Sequence, residues 1–267
     1  MASNFTATDA AGYELTMGRW SRLLANAFLA FAPVERGARV LDLGCGTGSL
    51  TRALLDEVGD AGAVVGVDVA ELYVAHARAT IQDPRATFEV ADASSLTYAD
   101  NSFDAVRSIL VLNFIPEYPA AAAEMLRVTR PGGTVAAAVW DIAGGVVMMR
   151  LFWDVAVVLD PKAAIMRDRT TAGPLTRAGE LRQLFVDAGA KDVEEHDVLI
   201  RMGFASFDDY WTPLLTGQGT LGSYLVSLDE RGRERLREGL RDAYLSGHPD
   251  GPRSFVAVAR AVKGRKA

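Results

Sequence analysis

The sequence predicts an α/β protein: a doubly wound, mostly parallel sheet that carries a helical insertion. Two observations point there. Through the first half of the 267 residues, short β-branched runs alternate with segments of helical periodicity, the rhythm of parallel strands joined by crossover helices. The first of those runs, Val40-Leu41-Asp42-Leu43, passes directly into Gly44-Cys45-Gly46-Thr47-Gly48 and then into a helical pattern. Composition agrees, because 49% apolar and 23% charged residues are ordinary for a globular chain and exclude disorder or collagen-like repeats.

In chain order, apolar residues at helical spacing predict a helix over 17–31, closed by Pro33 and Gly37. A strand follows over 38–43 and, past the glycines, a helix over 50–58. The run 63–67 is a second strand ending at Asp68, and the helix over 70–81 stops before Pro84. Strands are expected over 86–90 and 103–112, with a helix over 118–128 behind the latter. Arg130-Pro131-Gly132-Gly133 forms a tight turn into a strand over 134–140. The second half is less regular. It reads as a strongly apolar helix over 144–160, an amphipathic one over 176–188 closed by Gly189, and a strand over 192–201. An aromatic-rich helix over 206–215, a loop over 216–223, a charged helix over 230–246 and a strand over 254–262 complete it. The expected organisation is an N-terminal lid and helix (1–37), a binding core (38–141), helical caps (142–190 and 204–252) and closing strands (191–203 and 253–263).

Charge and cysteine usage narrow the function classes. Twenty-eight Lys+Arg against 34 Asp+Glu give a net charge of −6, a balance that argues against nucleic acid as the main partner. One cysteine, Cys45, forbids an internal disulfide. His76, His196 and His248 show no metal-ligand spacing, so no metal is expected. The opening 16 residues lack a basic stretch followed by an apolar core. The apolar run 146–159 is broken by Arg150 and Asp154 and falls short of the roughly 20 residues that a membrane span needs. A cytoplasmic protein without membrane insertion is expected.

The glycine loop carries the chemistry. Glycine lets the backbone approach a ligand and take positive φ, and the helix that follows offers free N–H groups and the positive end of its dipole. Asp68 ends the next strand, where a carboxylate can accept from both hydroxyls of a ribose; as a plain structural residue it would cap the following helix. Asp92, just past the third strand, reaches the same edge, where it either accepts from an exocyclic adenine amine or caps the turn 93–95. The glycines are spaced G-x-G-x-G rather than G-x-G-x-x-G, which turns the reading away from NAD-dependent oxidoreductases.

With these motifs in hand, the chain resembles the class I S-adenosylmethionine-dependent methyltransferases, in particular the type 11 group that includes the quinone-biosynthesis methyltransferases. The resemblance rests on VLDLGCGTG (40–48), GVDVA (66–70), VADA (90–93), NSFDAV (101–106) and LRVTRPGGTVAAAVW (126–140), and covers about residues 17–140. It implies a Rossmann-like sheet of seven strands whose last strand is antiparallel. It also implies S-adenosyl-L-methionine as cofactor and S-adenosyl-L-homocysteine as product. By the same resemblance, Gly44, Cys45, Gly46 and Gly48 lie under the methionine portion and Asp42 near its amino end. Asp68 holds the ribose, Val69 packs on adenine, and Asp92 and Ala93 read the adenine edge. Ile109 and Leu110 line the methionyl side, although relatives often carry a polar residue in place of Ile109. The stretch from Tyr13 to Trp20 looks like the family's N-terminal lid, with Tyr13 and Arg19 facing the cofactor and Arg19 pairing with its carboxylate.

Methyl transfer from a sulfonium is a direct displacement by an electron-rich atom in line with the S–CH3 bond. Good orientation supplies about 7–11 kcal/mol in intramolecular reactions, so no catalytic side chain is obligatory. If the nucleophile must lose a proton, His248, Tyr210 and Asp141 are candidate bases. Met149, Phe152 and Trp153 on the apolar helix, with Tyr210 and Trp211, form either an acceptor pocket for a small apolar or aromatic molecule or plain core and dimer surface. A small-molecule acceptor and a monomer or homodimer are expected. The alternatives are a protein methyltransferase or a non-catalytic S-adenosylmethionine-binding protein. The Asn-Pro-Pro-aromatic and Pro-Cys segments of DNA-modifying enzymes are absent.

Overall fold

The structure is a computed structural model that describes residues 9–267. Among the described residues there are seven strands: β1 (Arg39–Leu43), β2 (Ala63–Asp68), β3 (Ala86–Val90), β4 (Phe103–Ile109), β5 (Thr129–Trp140), β6 (Lys191–Phe204) and β7 (Arg253–Arg265). They form one sheet in the order β3-β2-β1-β4-β5-β7-β6. All pairs from β3 to β5 are parallel, and β7 runs antiparallel to both β5 and β6. This is the Rossmann-like sheet with one reversed strand that the sequence motifs imply.

Alternation along the strands sorts the core into two layers. Val40 of β1 and Ala136, Ala138 and Trp140 of β5 face one side, while Leu41 and Leu43 with Val135, Ala137 and Val139 face the other. A central parallel strand is buried on both faces, which is why these runs are continuously apolar. The first face is covered by α2 (Arg19–Phe31), α3 (Ser49–Val58) and α4 (Glu71–Thr80). The second is covered by α5 (Tyr118–Val128) and α8 (Glu180–Asp187). In α2 the buried stripe is Leu24, Ala25, Phe28 and Leu29, each large side chain contributing about 1.5–3 kcal/mol by leaving water.

Arg107 is the exception among these apolar contacts. It takes an inward position on β4, is 1% exposed, and faces no carboxylate. Instead its guanidinium donates to the carbonyls of Ala32 (3.0 Å), Pro33 (2.7 Å) and Thr134 (3.0 Å) and to the Thr134 hydroxyl. Burial alone pulls it down to about 9. The side chain thus satisfies the carbonyls of Ala32 and Pro33 just past α2 and clamps that helix to the sheet.

The insertion after β5 holds α6 (Val147–Leu159) and α7 (Ala163–Thr171). Between β6 and β7 come α9 (Phe207–Trp211), α10 (Gly219–Ser227) and α11 (Glu230–Leu245). Their apolar faces, Phe152 and Ala156 of α6 with Leu236 and Leu240 of α11 among them, join the core of the first face. The expected loop at 216–223 is therefore largely α10, and α7 was not anticipated. The helix expected from 176 begins at Glu180, after Gly179 turns at φ +84°. β4 ends three residues early because Leu110 adopts φ +62°, which no strand accommodates. Ahead of α2 lie a short helix α1 (Ala10–Tyr13) and a π-turn over Glu14–Gly18. Among the described residues no helix is long and apolar enough to cross a membrane, and no cluster of three potential metal ligands occurs.

Candidate functional site

The site is built on the carboxyl edge of the parallel strands, where β1 gives way to the glycine loop. The loop is stapled to the neighbouring strand: the N–H groups of Gly44 and Cys45 both donate to the Val67 carbonyl, at 2.7 and 2.9 Å. Gly44 has φ +76°, and a Cβ there would collide with the Val111 side chain. Gly46 has φ +52° with open space where a Cβ would stand, so the loop leaves its ligand side clear. No side chain caps α3 behind it, and the first-turn N–H groups remain available to an anion.

Asp68 closes the loop from the end of β2. One carboxylate oxygen accepts from Gly46 N–H and the other from Ala70 N–H, both at 2.9 Å. Burial raises its carboxyl above the usual range against these bonds. The Ala70 bond closes a local turn and does not cap α4, whose N-cap is Ala70 itself with no side-chain bond; each Asp68 oxygen keeps a second lone pair. Beside it Val69 is 47% exposed, an apolar side chain left uncovered at the cleft. Asp92 accepts from the N–H and hydroxyl of Ser94, at 2.8 and 2.6 Å, and the Ser94 hydroxyl holds its carboxyl low. Ala93 leans toward the core of the second face.

Asp42 lies beneath the loop and is 1% exposed. Its Oδ2 accepts from the Thr51 hydroxyl at 2.5 Å, while Oδ1 is buried with no partner. Burial pushes this carboxyl up to about 7. Cys45 is buried, and burial raises its thiol, so it packs as a small apolar residue. Ile109 is buried, and Leu110, strained at φ +62°, donates its N–H to the Ala138 carbonyl at 2.7 Å. A non-glycine residue held in that region at a sheet edge carries stored strain.

The segment 9–18 lies over this edge. Asp9 caps α1 through the N–H groups of Ala11 and Gly12. The Tyr13 ring sits 5.2 Å from that of Tyr73 on α4. Burial raises the Tyr13 hydroxyl, and the Asp68 charge adds to the effect. Glu14 accepts from the Thr47 hydroxyl of the glycine loop at 2.5 Å and pairs with Arg22. Glu14 and Thr47 were missed in the sequence; their signal was only their place in the lid and loop motifs. Arg19 corrects an expectation. Its guanidinium pairs with Asp209 at 2.8 Å and lies over the rings of Trp20 and Phe204, so segment 9–18 meets the loop through Glu14 instead.

The expected acceptor residues divide. Phe152, Tyr210 and Trp211 are core: Tyr210 is 1% exposed, its hydroxyl donates to the Met148 carbonyl at 3.1 Å, and its ring packs with Phe204, Tyr244 and Phe255. Its hydroxyl, raised by burial, is no base. Asp141 is paired with Arg260 at 2.9 Å, and His248 is exposed in the turn beyond α11. Met149 is half-buried against the core. Trp153 is core as well, 2% exposed, with only its edge reaching the recess beside α6. A cavity of about 280 Å3 lies between the loop after β5, at Ile142 and Ala143, and the helices α6 and α7. Arg150 and Arg167 in its wall were also missed, since an arginine on a helix face reads as solvated.

A parallel sheet with a stapled glycine loop and an acidic residue closing the next strand defines a nucleotide-type ligand site of the Rossmann-like class. A methyltransferase-domain family model matches residues 40–133, from β1 into β5, which already begins at Thr129 where the sequence predicted a tight turn over 130–133. The chain is also 32% identical to the demethylmenaquinone methyltransferase of Shouchella clausii over 174 residues, 60% of this chain and 73% of that protein. The chain belongs to the class I S-adenosylmethionine-dependent methyltransferases. Among solved structures it resembles phosphoethanolamine N-methyltransferase 2 of Haemonchus contortus, in complex with phosphomonomethylethanolamine and S-adenosylhomocysteine. That match has a TM-score of 0.60 and 19% identity over 96% of this chain and 56% of that one. It also resembles the [4+2]-cyclase SpnF, at a TM-score of 0.57 and 20% identity over 100% of this chain and 88% of that one. Likeness at these identities shows the fold alone, and this chain spans little more than half of the Haemonchus enzyme.

Proposed function

We propose that the protein binds S-adenosylmethionine on the glycine loop and transfers its methyl group to a small apolar or aromatic acceptor under the helices that follow β5. The observation that carries the reading is the constellation at the carboxyl edge: an open stapled loop, Asp68 on its rim, and the orphaned Oδ1 of buried Asp42. These residues fit the cofactor. A buried carboxylate oxygen without a donor suits an ammonium group, the uncapped α3 suits a carboxylate, and the spare lone pairs of Asp68 suit a ribose diol. Exposed Val69 offers apolar surface to an adenine, with Asp92 at its edge. When bound, S-adenosylmethionine supplies a sulfonium-borne methyl group.

The chain's own contribution is orientation and exclusion of water. The lid, with Tyr13 on Tyr73 and Glu14 on Thr47, covers the loop side, and the insertion covers the acceptor side. None of the three candidate bases is free at the cavity, so the reading rests on positioning, worth about 7–11 kcal/mol in well-oriented systems. The name of the Shouchella relative supports a small-molecule acceptor. The test has two arms. Calorimetry is expected to show S-adenosylhomocysteine binding and no NAD binding. Methyl-labelled S-adenosylmethionine incubated with a cell extract is expected to label the small-molecule fraction. Label confined to protein would overturn the acceptor class, and absent S-adenosylhomocysteine binding would overturn the whole reading.

A further inference from the structure

We infer that Glu14 competes with the cofactor's carboxylate for one seat at the start of α3, so that the segment ahead of α2 shuts the site on an anion of its own until the cofactor displaces it; the inference rests on the methyltransferase reading. Glu14 already stands in that place. Its carboxylate accepts from the Thr47 hydroxyl through one oxygen and from Arg22 through the other, both at 2.5 Å. Thr47 directly precedes Gly48, the N-cap of α3, so this carboxylate is held beside the free N–H groups that the reading gives to the cofactor. α3 brings no anion itself: its first turn has no acidic residue and no side chain caps it. The Ser49 hydroxyl in that turn is buried without a partner, one donor left over at the seat.

The local backbone is shaped for this contact. Glu14 lies across Gly18, where a Cβ would meet its carboxylate at 2.5–2.7 Å. The turn that presents it, Glu14–Gly18, is π-helical, a rare geometry that recurs at functional sites. Beyond that turn the chain is pinned, by Arg19 on Asp209 and by buried Trp20. Ahead of it the site is held by Glu14 on Thr47 and Tyr13 on Tyr73. With Glu14 seated, Thr47 and Ser49 are 4% and 9% exposed, so the seat is closed to solvent. Two carboxylates in one such site cannot both stay ionised and seated, and Arg22 balances only one of them. Cofactor binding therefore includes moving Glu14 off Thr47, and removing the Glu14 charge makes that step easier.

The test is calorimetry on wild type and Glu14→Gln with two probes: S-adenosylhomocysteine, and the same molecule with hydrogen in place of its carboxylate. The substitution keeps the length of the side chain and an acceptor for Thr47, so the fold stands. The variant is expected to bind S-adenosylhomocysteine about tenfold or more tighter than wild type, with its affinity for the decarboxylated probe changed by less than about twofold. An equal gain on both probes would make Glu14 a general latch and not a competitor for the carboxylate. Unchanged affinities would show that its charge does not bear on the seat. A loss of S-adenosylhomocysteine affinity in the variant would mean that Glu14 holds the cofactor, through its ammonium group. Each of these three results overturns the inference while the methyltransferase reading stands. Failure of both proteins to bind either probe removes both.

Discussion

Asp42 gives the sharpest test of the site's electrostatics. Its carboxyl is pushed from its ordinary 3.8 up to about 7 by burial, and among the described residues only Thr51 donates to it. An acid whose folded pKa is raised stabilises the fold fully below its unfolded value, and that stability is lost as pH rises through the folded value. The interval of about three units corresponds to about 4 kcal/mol at 1.36 kcal/mol per unit, of which about 2.5 kcal/mol falls between pH 5 and pH 8. Asp42→Asn removes the titration and retains an acceptor for Thr51. Urea unfolding of both proteins across that window cancels every other titrating group in the difference. The variant is expected to gain about 2.5 kcal/mol on the wild type as pH rises from about 5 to 8. A difference that stays flat would refute the argument that Asp42 is held neutral. Because a bound ammonium favours the ionised form, wild-type affinity for S-adenosylhomocysteine should rise with pH through about 7, and the variant should show no such rise.

Asp68→Ala removes the acceptor for a ribose diol, so calorimetric affinity for S-adenosylhomocysteine should fall by about a hundredfold or more at 1.5–3 kcal/mol per charge-assisted bond; unchanged affinity sinks that role. Gly44→Ala forces a Cβ into Val111 at φ +76°, and a denaturation midpoint equal to wild type would show that the loop yields where the geometry says it cannot. Arg107→Met strands the carbonyls of Ala32, Pro33 and Thr134, with an expected loss of about 2–5 kcal/mol in chemical denaturation. A loss below about 1 kcal/mol would mean that the cost of burying the charge cancels its hydrogen bonds.

The cofactor half of the molecule was legible because its constraints are local. Gly44 must be glycine for a contact with Val111, and Asp68 must follow a strand that pairs with β1, so motif and geometry coincide. β3 and α5 fall where Val90, Pro84 and Val128 mark them. The cap was less legible for physical reasons. Phe204, Tyr210 and Tyr244 have the composition of a pocket, yet they fill the space between the β6–β7 pair and the helices above it, and a one-dimensional pattern does not separate these uses. α10 hides in a Gly/Thr/Ser-rich run because its helicity comes from packing Leu221 and Leu225 into the core, a tertiary contact overriding weak propensity. Arg19 was misplaced because its partner, Asp209, lies 190 residues away. The strain at Leu110 leaves no mark in residue type.

The reversed strand β7 has a consequence for how the chain is made. β6 pairs with β7 alone, and β7 also completes the exposed side of β5. On the ribosome, β5 and β6 emerge first and wait with open edges while the whole helical segment 205–252 is synthesised ahead of β7. Unpaired edges of that kind template association with other chains, and the long loop to be closed makes the final pairing slow. Loss of residues 253–265 would therefore cost two strands rather than one, leaving β6 unpaired and the loop after β5 without its bonds to Val258.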